Sequence, residues 1–250
     1  MFKSTGNYKS RVDITITILY DNYKFNPELE SDWGFSCLIE GLEKTILFDT
    51  GGKANILLSN MKKMGKDPAE VDVIFLSHIH EDHTGGIKDF LDINHNVTVF
   101  MPVSFPESFK NMIRTKGATI VESRGPQDIL EGVKTTGEMG IEIIEQSLIM
   151  QTSGGSVIIT GCAHPYIVDI IRKSADISGN NILAVIGGFH LLRTSDKNLQ
   201  SIIQDFRTLN VKYAGPTHCS GDKAIKLFKE NYGENFISLG VGKVLKINEL

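Results

Sequence analysis

Apolar, β-branched runs that stop at a histidine recur along this chain, and that recurrence limits its fold more than any other feature. Residues 71–76, 156–160, 182–186 and 211–215 read as buried strands. The loops behind them carry His78, His80 and His83, then His164, then His190, then His218. Of the seven His, only His95 stands outside such a loop. Residues at helical spacing follow these loops, so the repeated unit is strand, short loop, helix. Units of this kind bring the carboxyl ends of their strands, and the side chains there, to one edge of a sheet.

The densest loop is Ser77-His78-Ile79-His80-Glu81-Asp82-His83-Thr84-Gly85-Gly86, which holds the pattern H-x-H-x-D-H. Neutral imidazole is the commonest side-chain metal ligand, and carboxylate oxygen suits the same borderline ions. His78 and His80 are two apart, so in extended backbone they point the same way. Asp82 and His83 follow as the chain turns and can face a second point nearby. One loop can thus serve two adjacent ions, as in a two-metal hydrolytic site. The plain alternative is a solvated His-rich loop, which does not suit a position between a buried strand and a Gly-Gly helix entry.

These residues resemble the metallo-β-lactamase superfamily. The resemblance rests on His78, His80, Asp82 and His83 with Thr84-Gly85-Gly86, and on Leu47-Phe48-Asp49-Thr50-Gly51 upstream. Thr160-Gly161-Cys162-Ala163-His164, Gly187-Gly188-Phe189-His190-Leu191 and Pro216-Thr217-His218-Cys219-Ser220-Gly221 resemble a subgroup similar to ribofuranosyl-aminobenzene phosphate synthases. It covers roughly residues 12–247 and implies an α/β (α+β) fold, a four-layer αββα metallo-β-lactamase sandwich, with residues 1–250 as a single domain and residues 1–10 as a flexible tail.

The resemblance implies two divalent ions, zinc first and manganese or iron as alternatives. Metal one takes His78, His80 and His164; metal two takes Asp82, His83 and His218. Each set leaves a position for water, as catalytic sites do. Asp49 accepts a hydrogen bond from a ligand His, or else caps its turn before Gly-Gly. The sequence departs from the common pattern in two ways. No His falls between His95 and His164, and the usual bridging Asp is missing, with Cys162 near its place. His190 has three readings: ligand, substrate-facing acid or anion binder, and structural residue. Cys162 and Cys219 are soft ligands or buried packing.

The implied activity is a metal-dependent hydrolase in which a metal-bound water attacks a small-molecule ester, phosphate-bearing by the subgroup resemblance. Asp49, Asp82 and His190 are the candidate catalytic residues. Two alternatives belong to other classes. One is a metal- or ligand-binding module without catalysis. The other is a di-iron redox protein on the same fold, a branch in which an acidic ligand commonly stands where His80 stands here.

Elsewhere the chain reads as conventional elements. Strands are expected over 11–20, 35–40, 44–49, 96–101, 118–121, 141–144 and 147–152, and closing strands over 236–247. Helices are expected over 55–64, 107–116 (capped by Ser104), 165–175 (Pro165 first), 199–209 (capped by Ser195) and 222–232. Residues 123–140 resist assignment. Trp33 and Phe35 are either lip residues of the site or core.

A net charge of -4 gives no surface for nucleic acid or an anionic membrane. No apolar run reaches transmembrane length, and residues 1–10 lack a signal peptide's apolar stretch. Three Cys make no disulfide framework and fit a reducing cytoplasm. The expected partner is a small-molecule substrate, with a homo-oligomer possible.

Overall fold

The computed structural model describes residues 13–179 and 181–250. The expected tail, and the first two residues of the strand expected over 11–20, lie outside the described residues. The first half runs β1 (Thr15–Tyr20), β2 (Ser36–Glu40), β3 (Ile46–Phe48), α1 (Ala54–Lys63), β4 (Val73–Phe75), α2 (Glu81–Thr84), α3 (Ile87–Ile93), β5 (Thr98–Pro102), α4 (Glu107–Thr115) and β6 (Thr119–Ser123). The second runs β7 (Gln127–Leu130), β8 (Val133–Thr135), β9 (Leu148–Thr152), β10 (Gly155–Thr160), α5 (Ile167–Ser178), β11 (Ile182–Gly188), α6 (Asp196–Thr208), β12 (Tyr213–Thr217), α7 (Asp222–Tyr232) and β13 (Val244–Lys246).

Among the described residues the strands form two mixed sheets. One is ordered β13-β1-β2-β3-β4-β5-β6, the other β12-β11-β10-β9-β8-β7. Strands joined by a helix pair in parallel: β3 with β4, β4 with β5, β5 with β6, β10 with β11, and β11 with β12. Strands joined by short turns, β2 with β3, β7 with β8 and β9 with β10, pair antiparallel, and β1 pairs antiparallel with β2 across the longer segment 21–35. That division follows from reach, because a parallel return needs a crossover.

The buried alternation places the layers. In β4, Val73 and Phe75 join a core with Ile16, Ile18 and Phe48 of their own sheet and Val157, Ile159 and Ile186 of the other. The two sheets therefore pack face to face. Ile74 and Leu76 point the other way, into a cluster with Leu57 of α1, Phe90 of α3 and Ile113 of α4. Ile158 and Val185 meet Ile171 of α5, Phe206 of α6 and Phe228 of α7 on the outer face of the second sheet. The result is the four-layer αββα sandwich. Strands buried on both faces read as continuous apolar runs. Removing a ring such as Phe75, which is fully buried and stacked on Phe48, costs about 3–5 kcal/mol.

Several expectations need correction. Residues 141–144 form no strand, and Ile141 is 94% exposed. Glu145 instead makes an isolated bridge with Met139. Residues 123–140 contain the hairpin β7–β8, in which β7 is partly exposed with no clear alternation and β8, though it alternates, is only three residues long. Ser104 does not cap α4; the N-cap is Pro106, and the Ser104 N–H donates to Glu138 instead. The helix expected from Pro165 begins at Ile167, because Tyr166 takes a φ of 71°. Ser195 caps α6 as expected, accepting from the Asn198 N–H. The closing strands over 236–247 reduce to β13 and isolated bridges at Phe236 and Val241. Phe35 is buried in the core, whereas Trp33 is exposed at the lip.

Candidate metal centre

The strand ends that carry histidine converge. The loop after β4 supplies His78 and His80, and α2, a single turn with His80 as N-cap, carries Asp82 and His83. A Cβ on Gly85 would stand 2.3 Å from the Gly52 carbonyl oxygen, so only glycine lets these two loops of the first sheet meet. The loop after β10 supplies Cys162 and His164, the loop after β11 His190, and the loop after β12 His218. Gly188 serves the second sheet in the same way, since a Cβ there would lie 2.4 Å from the Gly161 carbonyl oxygen.

The side chains form three overlapping groups: His78, His80 and His164; Asp82, His83, Cys162 and His218; and Cys162, His190 and Cys219. The first two are the sets expected from sequence, with Cys162 added to the second. His78 Nε2 lies 3.2 Å from His80 Nδ1. His83 Nε2 lies 3.2 Å from His218 Nε2, and Cys162 Sγ lies 3.3 Å from both. Asp82 Oδ2 stands 3.3 Å from His218 Nε2 and 3.5 Å from His83 Nε2. His190 packs its ring 4.4 Å from that of His164.

The far nitrogens are held. Asp49 Oδ2 meets His83 Nδ1 at 2.7 Å, and the same carboxylate accepts from the Ser77 N–H and hydroxyl. Ser77 Oγ also faces His78 Nδ1 at 2.9 Å, and Asn22 Oδ1 faces His218 Nδ1 at 2.9 Å. Contacts of this kind fix which ring nitrogen points inward. Asp49 thus stands against His83 and Ser77 and not free at its turn. The sequence reading gives Ser77 and Asn22 no role, and each stands two residues past the end of a strand, whereas Asp49 is the first residue past β3.

Burial, reinforced by the neighbouring His83, holds His78 well below the usual imidazole range. Burial likewise lowers His80. Burial and then His190 take His164 down to about 4. All three are neutral at neutral pH, the form that ligates metal. Burial opposes charge on His83 too, but the Asp49 carboxylate outweighs it and raises the ring to about 9. Burial lifts the Asp49 carboxyl as well; its donors from Ser77 and His83 favour the ionised form, and we take the pair as carboxylate and imidazolium. Burial, with Cys219 beside it, pushes the Cys162 thiol well above its ordinary value.

A family model of the Metallo-beta-lactamase superfamily matches residues 34–218, a span that contains every residue of these groups except Cys219, and their partners except Asn22. The chain belongs to the Metallo-beta-lactamase superfamily. One relative of the chain is the 7,8-dihydropterin-6-methyl-4-(beta-D-ribofuranosyl)-aminobenzene-5'-phosphate synthase of Methanocaldococcus jannaschii, 34% identical over 94% of this chain and 97% of its own. A solved structure described as a metal-dependent hydrolase of the beta-lactamase superfamily is 27% identical, with a TM-score of 0.80 over 93% of this chain and 98% of its own. The metallo-beta-lactamase fold protein YhfI of Bacillus subtilis shares the fold alone, at 15% identity and a TM-score of 0.70 over 94% of this chain and 99% of its own. Among the described residues, no helix of this superfamily member is long and apolar enough to cross a membrane.

Proposed function

We propose that this protein is a metal-dependent hydrolase of a small-molecule, phosphate-bearing ester. One observation carries the metal part of the reading. His164 Nε2 is buried without a hydrogen-bond partner, and it belongs to the group of His78 and His80. An unpaired buried ring nitrogen is unfavourable unless a ligand takes it. The spacing supports the same reading. Tetrahedral metal–nitrogen bonds of about 2.0–2.1 Å put neighbouring nitrogens about 3.3 Å apart, and the two inward pairs stand at 3.2 Å.

His78, His80 and His164 would hold one divalent ion, and Asp82, His83, His218 and Cys162 the other. Zinc suits this donor set first, with manganese or iron as alternatives. Ions bound there would supply Lewis-acid polarisation and a lowered water pKa. The protein's part is to fix the donors. Asp49 keeps the proton of His83 on Nδ1, Ser77 orients His78, and Asn22 orients His218. His190, exposed at the mouth, is raised by its hydrogen bond with Cys219 against the effect of burial. The ring is placed to pass a proton to a leaving oxygen. Trp33, 50% exposed with its ring 5.0 Å from that of His218, offers a flat apolar face to a substrate at the same mouth.

The name of the M. jannaschii relative favours a second reading, in which a phosphate-bearing compound of the kind named there is assembled and not cleaved. Turnover of phosphoester substrates by metal-loaded protein, lost on chelation and restored by zinc or manganese, is the result expected for hydrolysis. Formation of such a compound without ester cleavage would replace that reading with the second. Bound metal with neither activity would leave a binding module.

A further inference from the structure

Glu145 has no part in the chemistry above, yet its carboxylate is buried against the candidate centre. Oε1 accepts from the backbone N–H groups of Gly161, Cys162 and Ala163 at 3.1, 3.0 and 2.9 Å. Oε2 accepts from the N–H of His164 at 2.9 Å. Four consecutive amides of one loop thus close on a single side chain. That loop is not relaxed: Ala163 and Tyr166 take φ of 62° and 71°, a region that side-chain-bearing residues avoid. Without an internal acceptor these amides would be orphaned, and the loop would have reason to open. An anion gathers such convergent amides as no neutral group can.

The next residue reaches the other sheet. The Gln146 N–H donates to the Ser77 carbonyl oxygen at 2.9 Å, and its side-chain amide donates to the Leu76 carbonyl oxygen at 2.9 Å. Its Oε1 accepts from the Thr135 hydroxyl at 2.7 Å. The pair Glu145-Gln146 therefore touches the loop of Cys162 and His164 in one sheet and the root of the His78–His83 loop in the other.

We propose that Glu145 is a positioning residue that builds the Cys162–His164 loop before any metal arrives, and that Gln146 sets this loop's distance from the His78–His83 loop. The metal half of this rests on reading Cys162 and His164 as ligands. The loop-building half does not.

The test has two arms. In metal-free wild-type protein, hydrogen exchange should show the amides of residues 161–164 protected, unlike those of the partly exposed segment 141–143, which lies in no helix or strand. Exchange as fast as in 141–143 would mean that metal builds the loop, and would overturn the proposal. In the second arm, Glu145→Gln is loaded with zinc or cobalt and competed with a chelator, with folding followed by circular dichroism. Gln puts an NH₂ where an acceptor is needed, so affinity should fall about 10–100-fold, with a changed cobalt spectrum. Wild-type affinity in folded Glu145→Gln would refute the positioning role. If the variant fails to fold, the exchange arm decides. His164→Ala run alongside separates the two ideas: unchanged metal content there sinks the ligand reading, whereas reduced content there with a normal Glu145→Gln sinks the positioning proposal alone.

Discussion

The Nε2 atoms of His83 and His218 face each other at 3.2 Å, although 135 residues separate them in the chain. One rides on the helical turn behind β4 of the first sheet, the other on the loop behind β12 of the second. Neither is free to turn, because Asp49 and Asn22 hold their Nδ1 atoms. The seam between the sheets is thus closed at this edge by donors from both sides.

Replacing His164 with Ala should lower the metal content from about two ions toward one, with the fold intact. The ring is half-buried and its Nε2 has no protein partner, so its loss leaves no broken hydrogen bond. Elemental analysis of protein purified without chelators checks this. Full occupancy would return His164 to a structural role.

Cys162 should report the second ion by colour. A thiolate bound to cobalt gives an intense near-ultraviolet charge-transfer band, and a coordinated thiol is deprotonated outright. Cobalt loading should therefore produce that band and release a proton from a thiol that burial otherwise keeps neutral. Cys162→Ser should abolish the band while the weaker visible bands persist. A band that survives in Cys162→Ser would assign the sulfur to Cys219 instead.

Asp49 fixes a pH dependence in the metal-free protein. Its carboxylate raises His83 to about 9 in the fold, above the ordinary imidazole value. A raised basic group binds its proton more tightly folded than unfolded. The stabilisation is complete below about pH 6.5 and fades as pH climbs through about 9. Cys219 works in the opposite sense there, its thiol held low against burial by hydrogen bonds with Cys162 and His190. The His83 part is therefore the difference between wild type and Asp49→Asn. Thermal melts from pH 6 to 9.5 should show wild type losing more of its melting temperature than the variant. Parallel curves would remove Asp49 as the cause.

His190→Ala should keep both ions and lower turnover by about 10²–10⁴-fold if the ring protonates a leaving group. The loss should shrink on substrates with good leaving groups, which need no proton. Loss of an ion would make His190 a ligand in the group it forms with Cys162 and Cys219. Unchanged metal and turnover would leave it structural.

The sandwich and the two His groups were legible because each rests on local signals. A strand declares itself by apolar runs, and its last residue tells where the next loop begins. The roles of Asn22 and Glu145 rest on contacts across 196 and up to 19 residues, and neither position carries a periodic or spacing signal. Residues 141–144 look like a strand in composition, yet they find no neighbouring strand, and pairing decides what propensity only suggests. Sequence alone leaves Cys162 between packing and ligand, and only the fold puts its sulfur 3.3 Å from His83 and His218. Trp33 and Phe35, two residues apart, went to opposite fates: Phe35 fills the core beneath the site and Trp33 stands over it.

Among the described residues, six other than glycine take a left-handed φ: Asp49, Ala163, Tyr166, His190, Asn210 and His218. Five of these belong to the loops of the candidate centre. Glycine would relax each by about 1 kcal/mol. At Asp49, His190 and His218 it would also delete the group that gives the position its use. Selection for heat tolerance and selection for chemistry therefore pull these three codons in opposite directions. Asn210, outside the loops of the candidate centre, carries no such conflict, and a thermostable descendant could take glycine there without touching them.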